Sequence, residues 1–517
     1  MEALCKISIK RPVKKAIKKN IANKNPTFIE KNSDAISIDE VPLREYLKSI
    51  GLGWVINLKN ILLSSDISAF TKKYHTRGRK AIHPRTILGL IVYGILMRQS
   101  SLRELEGLAN RDLGAWWICG GLRPDHSTIG KFISLHSETL SEEYFVTLTK
   151  ELVNKLKLKS SDYAADGTAI EAASSRYKLI KAEAAHIASE KAQNEASAKP
   201  EDKNLQLKAQ VAKKASEIVK HCQEKRKANG RPPDKAVILP KEPEAITQRL
   251  KNGTYRPAYK PSIMVDQNKL IIGQYVDPTN ENAAIQPMLN QQKVIHEILP
   301  LCMMLDAGYS SFFILSLFIE LDIDILCPQG RVDRDNKWQK MSRNKIFDKC
   351  IFKYNEELNI YTCPEKKELR FVKVTEERKQ LCSQYSCVDY VKCPSRSKCT
   401  KSEKGRKIRR YEADPLKEAM SEVFKNKKAR KKYCQRKAIV EPVFAEIKER
   451  QGLTRFRTRG LKKVKTEFSL HCIAYNLKRA ISLGGGFYLL IFHFQQITAN
   501  NFDKKKQNCV FYAILTL

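Results

Sequence analysis

A nearly all-apolar run, Ile298 to Leu305, stops abruptly at Asp306-Ala-Gly308. A segment apolar at almost every position suits a strand buried on both faces, with a carboxylate presented at its tip. The stretch Ser160 to Ala172, SSDYAADGTAIEA, repeats the arrangement, with Asp166 delivered into a glycine turn. Ile263, Val265, Leu270, Ile272 and Val276 flank the polar Asp266-Gln-Asn-Lys269, which predicts a β-hairpin. Phe312 to Leu321 predicts a helix, and Ile323 to Cys327 one more buried strand. Strand–helix–strand order with acidic strand ends predicts an α/β fold built on a mixed sheet.

The remaining chain divides by texture. Residues 1–41 begin basic, with Lys14, Lys15, Lys18 and Lys19, and read as a disordered arm. Residues 42–155 predict a helical N-terminal domain: Ile87, Leu88, Ile91 and Ile95 share one face, and Ser101-Leu-Arg-Glu104 is a capping box. Asp125 or Ser127 caps a further helix, and Trp116 and Trp117 anchor the packing. Short helices beside Arg77, Arg79, Lys80 and Arg85 suit DNA binding of the helix-turn-helix kind, and suit a plain bundle equally well. Residues 176–250, rich in Ala, Lys, Glu and Gln, predict a long helical insertion broken near Pro200 and Gly230–Pro233. Residues 330–415 form a Cys-rich insertion, and 484–517 an apolar tail without period.

Between Tyr433 and Arg479 one acidic residue stands in a strongly basic stretch. Pro442 suits the first turn of a helix, which would put Glu441 at that helix's start. Seven helical residues turn through about 700°, so Glu441 and Lys448 would share a face. Arg436, Lys448, Arg455, Arg457, Arg459, Lys462 and Lys463 surround the carboxylate and suit phosphate contacts; singly, each also suits a solvated surface.

Formal net charge is +38 over 517 residues, with a pI near 9.6. Such an excess selects polyanionic partners, nucleic acid first, because neutralising phosphates releases counterions. No apolar run reaches the eighteen residues a membrane span needs, and no hydrophobic signal segment follows Met1, so the expectation is a cytoplasmic protein without a membrane partner. Fourteen Cys in a chain this long do not describe a secreted disulfide scaffold. Cys363, Cys387, Cys393 and Cys399 could hold a structural Zn²⁺, although no CxxC pair is present and inert thiols are the alternative.

Asp166, Asp306 and Glu441 are far apart in sequence, so only a fold could unite them. Phosphodiester cleavage and joining needs such a set, because carboxylates hold the two divalent ions that serve the attacking and leaving oxygens. Hard oxygen ligands suit Mg²⁺ or Mn²⁺. The pieces GRKAIHPRTILGLIVYG, GLRPDHSTIGKF, DGTAIEA, LDAGYSS, VEPVFAEIK and RFRTRGLKKVKTEFSLHCIAYNLKR resemble the DDE transposases of bacterial insertion sequences. The resemblance is to the IS-eleven-eighty-two branch of the IS-four-like group, and covers about residues 70–482. It implies an RNase-H-like catalytic core over 156–483, with Asp166, Asp306 and Glu441 as catalytic, metal-holding triad. It lays the group's Tyr, Arg, Glu, Lys signature on Tyr433, Arg436, Glu441 and Lys448. Four residues rather than three separate Arg436 from Glu441, and Tyr390 stands where the related cysteine pattern has another Cys. The implied function is binding of terminal inverted repeats, metal-dependent DNA cleavage and strand transfer, by a homodimer or higher oligomer acting in the nucleoid on double-stranded element ends and target. The alternatives are a decayed transposase that only binds DNA, and a metal-dependent nuclease without strand transfer.

Overall fold

Five strands make the central sheet of the computed structural model, which describes residues 26–75, 79–328, 347, 349–377 and 380–484. They are β1 (Asp162–Gly167), β2 (Tyr255–Asp266), β3 (Ile271–Asp277), β4 (Cys302–Met304) and β5 (Asp324–Leu326). Their spatial order is β3-β2-β1-β4-β5, with two short strands, Ile170–Glu171 and Ile246–Arg249, added beside β2. The first three are antiparallel neighbours and the last three parallel ones, so the sheet is mixed, as the sequence predicts. The run Ile298–Leu305 contributes less strand than its composition suggests: Ile298 and Leu301 are well exposed and precede the paired residues.

Among the described residues, seven helices of seven or more residues precede the sheet: α1 (Leu43–Ser49), α2 (Trp54–Ser64), α3 (Pro84–Leu96), α4 (Leu102–Arg111), α5 (Leu113–Cys119), α6 (His126–Leu135) and α7 (Tyr144–Lys155). The capping box of α4 forms in both directions, and Asp125 caps α6 by accepting from the Thr128 amide at 2.6 Å. On α3 the expected stripe is instead burial on nearly every side, because α2, α5 and a C-terminal helix enclose it. After β1, α8 (Ala182–Ala198) and α9 (Lys203–Ala228) form the helical insertion, paired to each other. α10 (Ile285–His296) and α11 (Phe312–Glu320) flank β4 in sequence.

The Cys-rich insertion is a second, all-antiparallel sheet: β6 (Lys353–Asn355), β7 (Ile360–Thr362), β8 (Glu368–Glu377), β9 (Gln380–Cys387) and β10 (Lys407–Tyr411), in that order. It closes over its own small core of Phe347, Phe352, Tyr361, Leu369, Tyr385 and Ile408. Two long helices follow, α12 (Lys427–Ala445) and α13 (Leu461–Gly484).

Alternation along β1 explains the layering. Ala164 faces a core shared with α1–α7, α12 and α13, whereas Tyr163 and Ala165 face α10 and α11. The N-terminal helices therefore do not close on themselves; α13 lies between them and β3.

Two expectations need correction. Glu441 and Pro442 lie in the last turn of α12, not at a helix start, because the helix begins at its cap Asn426. Pro442 lacks the N–H that would complete the ladder, and a π-turn, Glu446–Arg450, follows at once. Within the segment assigned to the arm, Phe28–Ile29 pairs with Ala81–Ile82, and buried Ser33 donates to the Trp117 carbonyl at 2.6 Å. Residues 1–25, 329–346 and the tail 485–517 lie outside the described residues.

Candidate active site

The register of β1 on β4 sets the site. Cys302 pairs with Asp162, Met303 with Tyr163 and Met304 with Ala164. Two residues further along each parallel strand come Asp166 and Asp306, side by side at the same end of the sheet, where neighbouring strands run about 4.8 Å apart. Asp306 leaves β4 to cap a turn, its carboxylate accepting from the Ala307 amide at 2.6 Å. Asp166 accepts from the Gly167 amide at 2.9 Å.

A cation faces them from α12. Arg436 is 6% exposed, and its Nη2 stands 3.1 Å from Asp166 Oδ1. The two are close enough for charge to act, yet Arg436 Nε and Nη2 find no aligned hydrogen-bond acceptor. The contact is an ion pair that leaves donor capacity open. Burial pushes the Asp166 carboxyl up; Arg436 and the Gly167 amide pull it down, and Asp306 and then Glu281 push it up again. Lys448, in the π-turn, donates to Thr168 Oγ1 just beyond Asp166. Burial brings its ammonium down to about 8, with Lys251 adding to the fall and Asp166 opposing it.

Glu441 stands apart. It is exposed on α12, five positions after Arg436, which is about 140° around the helix. Among the described residues, no three His, Cys, Asp or Glu side chains are arranged to hold a metal. The carboxylates converge in pairs rather than as a finished cage, although oxygen donors of this kind fit Mg²⁺ or Mn²⁺.

The basic residues divide by what they touch. Tyr433 is half-buried against Phe424. Arg455 donates to the Ala172 carbonyl at 3.0 Å and the Ala173 carbonyl at 2.7 Å. Arg457 pairs with Glu104 of α4 at 2.7 Å, and Lys462 with Glu138 at 2.6 Å. Arg459 and Lys463 are exposed. Around Asp166 the sheet adds groups that no sequence pattern marks: Ser262 and Lys260 of β2, Glu281 after β3, and Tyr309. Only strand pairing brings them together.

In the Cys-rich sheet, Cys363, Cys387, Cys393 and Cys399 line one cavity of about 30 Å³. The Lys367 amide donates to Cys363 Sγ at 3.2 Å. Burial pushes the Cys387 and Cys399 thiols up, and their cysteine neighbours push further. The thiols share a cavity without standing at mutual ligand distance. A larger cleft of about 620 Å³ lies away from the carboxylates, between α4, α6 and α13, with Leu102, Leu105, Ile133 and Leu470 in its wall.

Two family models match the chain: a transposase DDE domain over residues 362–481, and a transposase domain of the DUF772 family over residues 47–135. Both matched models describe transposase domains. The DDE-domain match includes Arg436, Glu441, Lys448 and all four clustered cysteines, and stops short of Asp166 and Asp306. The DUF772 match covers the end of α1 and the whole of α2 to α6, helices that share a core with α13 and the sheet. No curated protein matches the chain. Among the described residues, no helix is long and apolar enough to cross a membrane.

Proposed function

We propose that the chain is a DDE transposase of the IS-eleven-eighty-two branch. It binds the terminal inverted repeats of its element, cleaves DNA at the ends and joins them to target DNA. The carrying observation is the register that sets Asp166 beside Asp306 at one sheet end, with a buried, under-bonded Arg436 against them. The order β3-β2-β1-β4-β5, antiparallel then parallel, supports an RNase-H-like core within 156–483. Helices within 42–155 serve DNA binding, and the transposase acts as an oligomer on double-stranded DNA.

Mg²⁺ or Mn²⁺, when held by Asp166, Asp306 and Glu441, supplies Lewis acidity to the attacking and leaving oxygens. Arg436 offers two unused donors to a phosphate oxygen, and Lys448 adds a positive charge on the Thr168 side. Both act from fixed positions, Arg436 by burial and Lys448 by its hydroxyl partner, so little reorganisation accompanies charge development. Glu441, exposed on α12, would join the pair only through a rearrangement that DNA binding brings. The four cysteines are the donor set for a structural Zn²⁺ that would draw the thiols together; zinc content measured on purified protein and on Cys363→Ser tests it.

The test of the main reading is supercoiled donor DNA with Mg²⁺. Joined products are expected, and Asp166→Asn, Asp306→Asn and Glu441→Gln should each abolish them while element-end binding persists. Cleavage without joining would identify a nuclease instead, and binding alone a decayed transposase.

A further inference from the structure

Glu281 lies in the loop after β3, which folds back over the end of β1. A Cβ built on Gly167 would sit 2.6 Å from Glu281 Cγ and 2.9 Å from Ser262 Oγ. Glycine at 167 is therefore what allows Glu281 to stand one residue from Asp166. The negative charge of Glu281 is felt by Asp166 and by the buried Tyr309 hydroxyl. Its carboxylate is held by Lys260 of β2, Nζ to Oε1 at 2.7 Å, and both side chains keep about a quarter of their surface open to solvent.

An independent observation marks the same place as a ligand site. Arg436, 6% exposed, brings Nη2 to 3.1 Å from Asp166 Oδ1, and neither Nη2 nor Nε has an aligned hydrogen-bond partner. Tyr309 and Ser262, both fully buried, set their hydroxyls beside each other at the same place. Buried donors left open are costly unless a ligand brings acceptor oxygens, and a phosphodiester brings them. A phosphodiester next to Asp166, Asp306 and Glu281 also needs positive charge among the carboxylates.

Resting on the transposase reading, we propose that Glu281 is a further carboxylate of the cation site and that Lys260 is its exchangeable counter-ion. In the DNA-free chain Lys260 neutralises Glu281 and keeps it from the cation. When a phosphodiester enters, Lys260 moves to the phosphate and Glu281 turns to the cation beside Asp166. Cation affinity is thereby coupled to occupation by DNA, through one ion pair that breaks and two that form.

Mn²⁺ binding to the full chain, read as loss of the free-ion paramagnetic resonance signal, tests this with and without a plain DNA duplex. Lys260→Gln should bind Mn²⁺ more tightly than wild type without DNA, by about ten-fold, since ligand charge sets cation affinity. Adding duplex should tighten Mn²⁺ binding in wild type and change Lys260→Gln little. Glu281→Gln should lose the DNA-induced gain, and Glu281→Asp should recover part of it. The opposite signs of the Lys260 and Glu281 variants cannot arise from misfolding. If both variants bind like wild type while Asp166→Asn loses Mn²⁺, the pair is a static surface bridge: the inference falls and the transposase reading stands. If Asp166→Asn binds Mn²⁺ as wild type does, the cation site itself is misplaced and both fall.

Discussion

Arg455, Arg457 and Arg459 are three arginines in five residues, and sequence alone offers all of them to DNA. Their surroundings separate them. Arg455 clamps two carbonyls of the strand-end segment after β1, Arg457 crosses to Glu104 of α4, and Arg459 is exposed. Replacing all three with Ala should reduce the salt slope of DNA binding by about one rather than three, since each phosphate contact contributes nearly one. Arg459→Ala alone should account for most of that change, measured as log Kd against log salt. The Glu104 partner adds a stability effect. Hydrogen bonds from Arg457 first, then the Ser101 amide, hold its carboxyl at about 2, below the ordinary value. Its contribution is thus present above the ordinary carboxylate range and is lost as pH falls toward 2. A second titration concerns Lys448, whose folded-state value of about 8 lies below that of an ordinary lysine. Between about 8 and 10.4 the unfolded chain binds the proton that the folded chain lacks, so this group makes stability rise with pH there. In DNA binding the sense reverses: Lys448 loses its charge as pH rises through about 8. Affinity should fall from pH 7 to 9, and Lys448→Gln should flatten that part of the profile.

At the scale of elements, α13 does more than cover the sheet. Asn476, fully buried, accepts from the Ile271 amide at 2.9 Å, and donates to the Ile271 carbonyl at 2.8 Å and to Thr149 at 3.1 Å. One side chain thereby ties α13 to the first residue of β3 and to α7. Asn476→Ala should cost about 2–4 kcal/mol in urea unfolding, because two buried backbone groups are left without partners. Glu446, five positions after Glu441, accepts from Lys478 of α13 at 2.6 Å and lies 3.4 Å from Arg450. Glu446→Gln should keep DNA cleavage while lowering the melting temperature, because it weakens a half-buried tie between the π-turn and α13. Loss of cleavage with an unchanged melting temperature would move the third carboxylate from Glu441 to Glu446.

For the whole molecule, the distribution of cores predicts how it unfolds. One apolar cluster extends from Leu43 to Ala480 and includes the N-terminal helices, one sheet face, α12 and α13. A chain fragment of 42–155 would expose the side of α3 that α13 covers. Unfolding of that segment and of the sheet should therefore occur in one transition, seen as coincident loss of protection in native-state hydrogen exchange. The α8–α9 hairpin and the Cys-rich sheet each close over a separate small cluster. They should exchange at lower free energy than α13, whatever their role on DNA.

What the sequence determined by itself is local. The capping box at Ser101, the Asp125 cap, the hairpin around Asp266–Lys269 and the tip positions of Asp166 and Asp306 follow from periodicity and short-range hydrogen bonding. These need no knowledge of distant residues. Pro442 misled, because a proline suits a first turn locally, and only packing of α12 against β1 and β2 carries the helix up to and through it. The residues around Asp166 were decided by tertiary structure alone. Arg436 reaches it by burial of one face of α12, and Glu281 by strand pairing and a glycine with no side chain to block it. The same holds for the arginines, which the sequence presents as one basic run. Whether such a charge meets phosphate or protein depends on what the fold sets within 3 Å of it, and sequence spacing carries no trace of that.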